Sequence, residues 1–218
     1  MKNLIILMKS FLINIRIFNF TTALQFPILY APNMKIKGIY RGCIILNTKV
    51  ITKGMIKLGV DKEESNLKNH KNYLYFKKQG KMIFKGNVEI KSGMSILIDN
   101  KALLIFGNNL KVGSNLYIYC SSRIDIHDNV RFEFNVKLKN DNKFIVYEEE
   151  QLAKVKQIEI EDNVLIKANT IILGSTYIAK NSIISEGSLI NKKLEKINSL
   201  YGGNPVRLIK KQIIWREK

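Results

Sequence analysis

At 218 residues the chain has room for one domain or at most two small ones, and 46% hydrophobic content is enough for one sizeable core. Thirty-six lysines and arginines against 18 acidic residues give a net charge of +18, which favours an anionic partner, although a compositional bias toward Lys, Asn and Ile produces the same number. The cations are spread out with no arginine-rich block, which argues against nucleic acid, and two cysteines, Cys43 and Cys120, make neither a disulfide framework nor a metal spacing.

The chain opens with "MKNLIILMKSFLINIRIFNF", which Lys2, Lys9 and Arg16 interrupt too often for a signal peptide or a span of about 20 apolar residues. Those cations are seven apart and fall on nearly one side of a helix. Residues 1–33 are therefore expected to form an amphipathic helical segment, either packed on the protein or lying on an anionic membrane surface. Cys43 and Cys120 read as buried thiols of a protein kept in a reducing cytoplasm.

Further on, "MKIKGIYRGCIILNTKVITKGMIKLGV" alternates apolar and polar residues and reads as irregular strand, and residues 61–80 read as a polar excursion. From Ile160 the pattern becomes strict, with Ile at 160, 166, 172, 178, 184 and 190. Val164, Thr170, Thr176, Ser182 and Ser188 stand four residues after successive members of that lane. A period of six suits short strands separated by turns in a parallel β-helix, with the large residue pointing inward and the small one filling the corner. Upstream the same lane runs through Phe84, Ile90 and Ile96, then Phe106, Val112 and Ile118, then Ile126, Phe132 and Leu138. The expected fold is an all-β solenoid over residues 34–200, broken at 61–80 and 139–157 and capped by the N-terminal helix and a basic tail over 201–218.

The repeat, its last coil "SIISEGSLI" and the tail "GGNPVRLIKK" together resemble the hexapeptide-repeat acyltransferases of the left-handed β-helix class, most closely the branch that acetylates surface polysaccharides. The resemblance implies a cytoplasmic homotrimer, free or peripheral at the inner face of the membrane, that transfers acetyl from acetyl-CoA to a hydroxyl of a cell-surface glycan or its lipid-linked precursor, with no metal. It places Gly174, Gly187, Ser188, Asn204, Pro205 and Arg207 along the cofactor, with Lys210 and Lys211 facing the CoA phosphates. Simple capping of the solenoid accounts for Gly203–Pro205 equally well.

Such enzymes carry a general-base histidine in the excursion that here reads "LKNDNKFIVYEEEQLAKVKQ". Phe144, or Lys143 in a shifted frame, occupies the expected histidine position. The remaining candidates are His127, after Ile126, and Asp141; His70 lies in the polar excursion. Lys167 and Glu186 also replace small residues of the family pattern. The alternative is thus a catalytically degenerate homologue acting as a trimeric binding or scaffold protein. The chain has no G-x-G-x-x-G, G-x-x-x-x-G-K-[ST], H-E-x-x-H or G-x-S-x-G.

Overall fold

A computed structural model describes residues 2–60, 71–141 and 156–215. Two helices, α1 (Lys2–Ile17) and α2 (Phe20–Leu24), precede a triangular coil of parallel strands. Sheet A starts with Ile28–Tyr30 and ends with Leu200–Gly202 plus an antiparallel Arg207–Lys210; sheets B and C start with Met34–Lys37 and Ile44–Leu46. The chain visits A, B and C in turn, giving seven full coils and the first side of an eighth.

The six-residue lane is the inward position of each side. Ile166 pairs with Ile184 and Ile172 with Ile190, eighteen residues apart, so three hexapeptides make one coil. Phe84, Phe106, Ile126, Ile160, Ile178 and Leu194 stack up sheet C, each at most 3% exposed. Tyr30, Leu58, Ile90, Val112, Phe132, Ile166 and Ile184 stack likewise in sheet A, each at most 4% exposed. The upstream phase breaks have a simple cause: Ile90 pairs with Val112 and Val112 with Phe132, coils of 22 and 20 residues whose extra length goes into the turns. The small-residue lane is buried too, with Thr170, Thr176, Ser182 and Ser188 all at 3% exposure or less.

Two stretches differ from expectation. Residues 61–70 lie outside the described residues, but Asn72–Phe76, assigned to the excursion, is a regular strand of sheet B, paired with Met34–Lys37 and with Ser95–Ile98. Asn72 stands on the buried side with Leu74 and Phe76, donating to Asn33 Oδ1 at 2.7 Å and accepting from the Gly93 N–H at 3.0 Å. Outward-facing Tyr73 and Tyr75 erase the polar contrast by which a strand is read in sequence. The first coil also begins at Ile28, inside the stretch read as N-terminal helix, because Ile28–Tyr30 pairs with Ile56–Leu58.

Helix α1 closes the open end of the solenoid with its polar side inward. A parallel sheet edge leaves N–H and C=O groups without partners. Here Ser10 Oγ accepts from the Tyr30 N–H at 2.9 Å, Asn14 Nδ2 donates to the Ile28 carbonyl at 2.9 Å, and Lys9 Nζ donates to the carbonyls of Pro32 and Met34 at 2.6 and 2.7 Å. Burial pulls the Lys9 ammonium below its ordinary range. Of the three cations placed on nearly one side of the helix, Lys9 is therefore spent on the cap, while Arg16 is exposed.

Candidate functional site at the solenoid corners

The residues selected from sequence fall at three different corners. Gly187 and Ser188 turn from sheet A to sheet B in the seventh coil. Gly187 has φ +68°, and the corresponding positions beneath it are Asn115, Asn135 and Asn169 at +63°, +56° and +59°. Left-handed backbone strongly favours Gly and Asn, so the turn alone accounts for the residue type. A Cβ built on Gly187 meets nothing within 4 Å, which leaves this corner open. The Ser188 hydroxyl is committed to the fold, donating to the Ser185 carbonyl at 2.6 Å and accepting from the Gly203 N–H at 3.2 Å.

That last bond brings the tail to the same corner. Gly202 lies so close over Ser185 that a Cβ would approach its side chain to 2.7 Å, and beyond it Gly203, Asn204 and Pro205 are exposed, with a cis Asn204–Pro205 bond. Val206 is buried and anchors the turn, and exposed Arg207 pairs in register with Gly202. Gly187, Ser188, Asn204, Pro205 and Arg207 thus share one corner. Lys210 pairs with Leu200 at the opposite end of that strand, and exposed Lys211 follows it away from the corner.

Gly174 belongs to the B–C corner; residues 142–155, with Lys143 and Phe144, lie outside the described residues, as does His70. A Cβ on Gly174 would meet Lys156 Cβ at 2.5 Å and Asn140 Cα at 3.4 Å. Asn140 is fully buried and ties sheet B to the coil beneath: its Oδ1 accepts from the Ser121 N–H, and its Nδ2 donates to Ser122 Oγ and the Arg123 carbonyl, all within 2.8–2.9 Å. Asp141 follows, paired with Lys139 at 3.1 Å. Close by, Tyr119 donates its hydroxyl to Asp99 at 2.8 Å, and Lys77 pairs with Asp99 at 3.0 Å. Burial, then the Asp99 carboxylate, push the Tyr119 phenol up to about 12, so it is a fixed proton donor. Burial works to raise Asp99, but the Asn100 N–H, Tyr119 and Lys77 outweigh it and hold the carboxyl below its usual range. Sequence reasoning missed this cluster, because its members are single residues on three successive coils.

His127 occupies the third corner, C to A, in the fourth coil. Its Nε2 is 3.4 Å from Glu159 and 3.9 Å from Asp125, a carboxylate also held by Arg123 at 2.7 Å and Lys85 at 3.7 Å. The side chain keeps 30% exposure, so the imidazole has carboxylates beside it and is still reachable. Within one chain it shares no corner with Gly187 or Asp141. Glu186 accepts from Asn169 Nδ2 at 3.0 Å and extends the stack of turn asparagines. Among the described residues no group of three His, Cys, Asp or Glu is arranged to hold a metal.

A cleft of about 490 Å³ runs along the outer side of sheet A below the tail, with Glu89, Lys111, Arg131, Glu133, Leu165 and Trp215 in its walls. Trp215 folds back from the last coil to donate its indole N–H to the Asn163 carbonyl at 3.2 Å, two coils below.

Residues 157–192 match the family model described as bacterial transferase hexapeptide (six repeats). Among solved structures, the polySia-specific acetyltransferase NeuO superposes with a TM-score of 0.61 at 20% identity, covering 67% of this chain and 68% of its own. A hexapeptide-repeat acetyltransferase of Vibrio cholerae O1 biovar eltor, crystallised with acetyl coenzyme A, gives 0.51 at 20% identity over 60% and 70%. No curated protein matches the sequence. Residues 157–192 thus carry the hexapeptide repeat, and the chain has the left-handed parallel β-helix fold.

Proposed function

We propose that the protein is an acetyl-CoA-dependent O-acyltransferase acting on a hydroxyl of a surface glycan or its lipid-linked precursor, as a cytoplasmic homotrimer at or near the inner face of the membrane. The observation that carries this reading is the last A–B corner: an open left-handed turn at Gly187 roofed by the exposed Gly203–Asn204–Pro205 turn and flanked by Arg207. The fit to an extended thioester ligand is reasonable. No side chain fills the corner, and Arg207 supplies a fork for a phosphate. The two superposed proteins are both acetyltransferases, one of them crystallised with acetyl coenzyme A, which supports the choice of donor.

Chemically, the acceptor oxygen attacks the thioester carbonyl, its proton passes to a base, and the C–S bond breaks to release the CoA thiol. His127 is the base the reading favours, since it is a partly exposed imidazole with the Glu159 and Asp125 carboxylates beside it. In a trimer the C–A corner of one chain can face the A–B corner of a neighbour, which supplies the proximity a single chain lacks. Asp141 is the second candidate, at a corner shared with Gly174. The cleft beside Trp215 combines an aromatic side chain with cations and carboxylates, Lys111, Arg131, Glu89 and Glu133, a lining suited to a polar sugar.

A second reading, a non-catalytic trimeric scaffold, is favoured by one observation: His127 and the Gly187 corner are three coils apart on different edges of the solenoid. Turnover separates the two. CoA thiol release from acetyl-CoA is to be followed with acidic and neutral glycan acceptors for the intact chain, Arg207→Glu and His127→Gln. The acyltransferase predicts acceptor-dependent release that falls roughly 10²-fold or more in His127→Gln, the usual cost of losing a general base, and also falls in Arg207→Glu. Release that ignores both substitutions, or no release with any acceptor, contradicts it.

A further inference from the structure

The side of α1 that faces away from the coils is apolar. Leu4, Ile5, Met8, Leu12 and Ile15 project within about 100° of one another at 3.6 residues per turn. They are 63%, 53%, 61%, 60% and 39% exposed. Phe20 and Leu24 of α2 continue the patch at 58% and 50%. The opposite side of α1, with Ser10, Asn14 and Ile17, is buried on the first coil. This reverses the usual arrangement of a surface helix, in which the apolar stripe faces the core. Large apolar patches rimmed by polar residues mark interaction surfaces.

The charge around this patch identifies what it meets. Residues 1–60 contain nine lysines and arginines and no aspartate or glutamate, so half of the net charge of +18 lies in the helices and first turns of the solenoid. Arg16, Lys35, Lys37, Arg41, Lys49 and Lys53 of this set are all exposed. No described helix is long and apolar enough to cross a membrane. An apolar helical face accompanied by nine cations and no carboxylate within the same 60 residues is the pattern of a helix that lies in the headgroup region of an anionic bilayer.

We propose that the helix-capped end of the solenoid docks on anionic membranes, with the apolar face of α1 and α2 buried at the interface and the cations of residues 16–53 over the lipid phosphates. The coils then stand away from the bilayer, because the polar side of α1 is fixed to the first coil. This docking does not rest on acyl transfer, since it involves neither the Gly187 corner nor acetyl-CoA.

The test is sedimentation of the full chain with phosphatidylcholine vesicles with and without phosphatidylglycerol, in parallel with Met8→Glu/Leu12→Glu and with Lys35→Glu/Lys37→Glu. Both pairs are exposed, and thermal unfolding checks that the variants fold. Expected are partitioning at least about tenfold stronger on anionic vesicles, its loss in the apolar-face variant, and weakening in the lysine variant and with added salt. Equal partitioning of wild type on neutral and anionic vesicles, or undiminished binding of Met8→Glu/Leu12→Glu, overturns the proposal. So does absence of vesicle binding together with a change in solution mass in that variant, which would assign the patch to a second copy of this chain.

Discussion

At the scale of single residues, the abundance of asparagine has a structural use. Asn109, Asn129, Asn163, Asn181 and Asn198 repeat at the C–A corner with φ between +51° and +59°. Their side chains form a ladder, Asn109 Nδ2 to Asn129 Oδ1 at 2.9 Å and Asn163 through Asn181 to Asn198 at 2.9 Å each. Asparagine is the non-glycine residue that tolerates this backbone best, and the coil spacing brings its amide to the next one above. Asn129→Ala should therefore lose about 1 to 2 kcal/mol from the left-handed backbone, more than Asn129→Gly, which gives up the ladder bond and keeps the turn. Denaturant midpoints of the two variants check this; equal losses would mean that the ladder, not the backbone, is what selects asparagine.

At the scale of elements, α1 matters because of what it covers. With Ser10→Ala the buried Tyr30 N–H has no acceptor, at a cost of about 1–3 kcal/mol, while Leu12→Glu on the outer side should leave thermal stability unchanged. The opposite ranking would show that α1 is held by apolar packing. This polarity was hidden in the sequence, because Ser10 and Asn14 have a purpose only beside an open sheet edge. The coils were far more legible: each of the lane residues from Phe84 to Ile190 points inward, since one large aliphatic per six residues is the direct signature of a three-sided coil. Asn72–Phe76 escaped because its inward lane starts with an asparagine and its outward one carries tyrosines. At the candidate site, the resemblance pointed to the Gly187–Arg207 corner. That Gly174 and His127 sit on other edges depends on strand register across coils of unequal length, which residue types alone do not give.

At the scale of the molecule, the solenoid separates its two ends. One end is sealed by α1 and surrounded by cations, and the other is closed by the Gly202–Arg207 turn, with Trp215 laid back along sheet A. On the proposed function, the acetyl donor binds at the turn-closed end and the membrane lies at the helix-capped end. The most direct measurement is calorimetric titration of the intact chain and Arg207→Glu with acetyl-CoA, using desulfo-CoA for comparison. The account predicts saturable binding of both ligands by the intact chain and at least about tenfold weaker binding by Arg207→Glu, the cost of a lost charge-assisted phosphate contact and the repulsion that replaces it. No detectable binding at millimolar ligand, or equal affinity in the two proteins, would contradict it and leave the Gly187 corner as nothing more than the closure of the last coil.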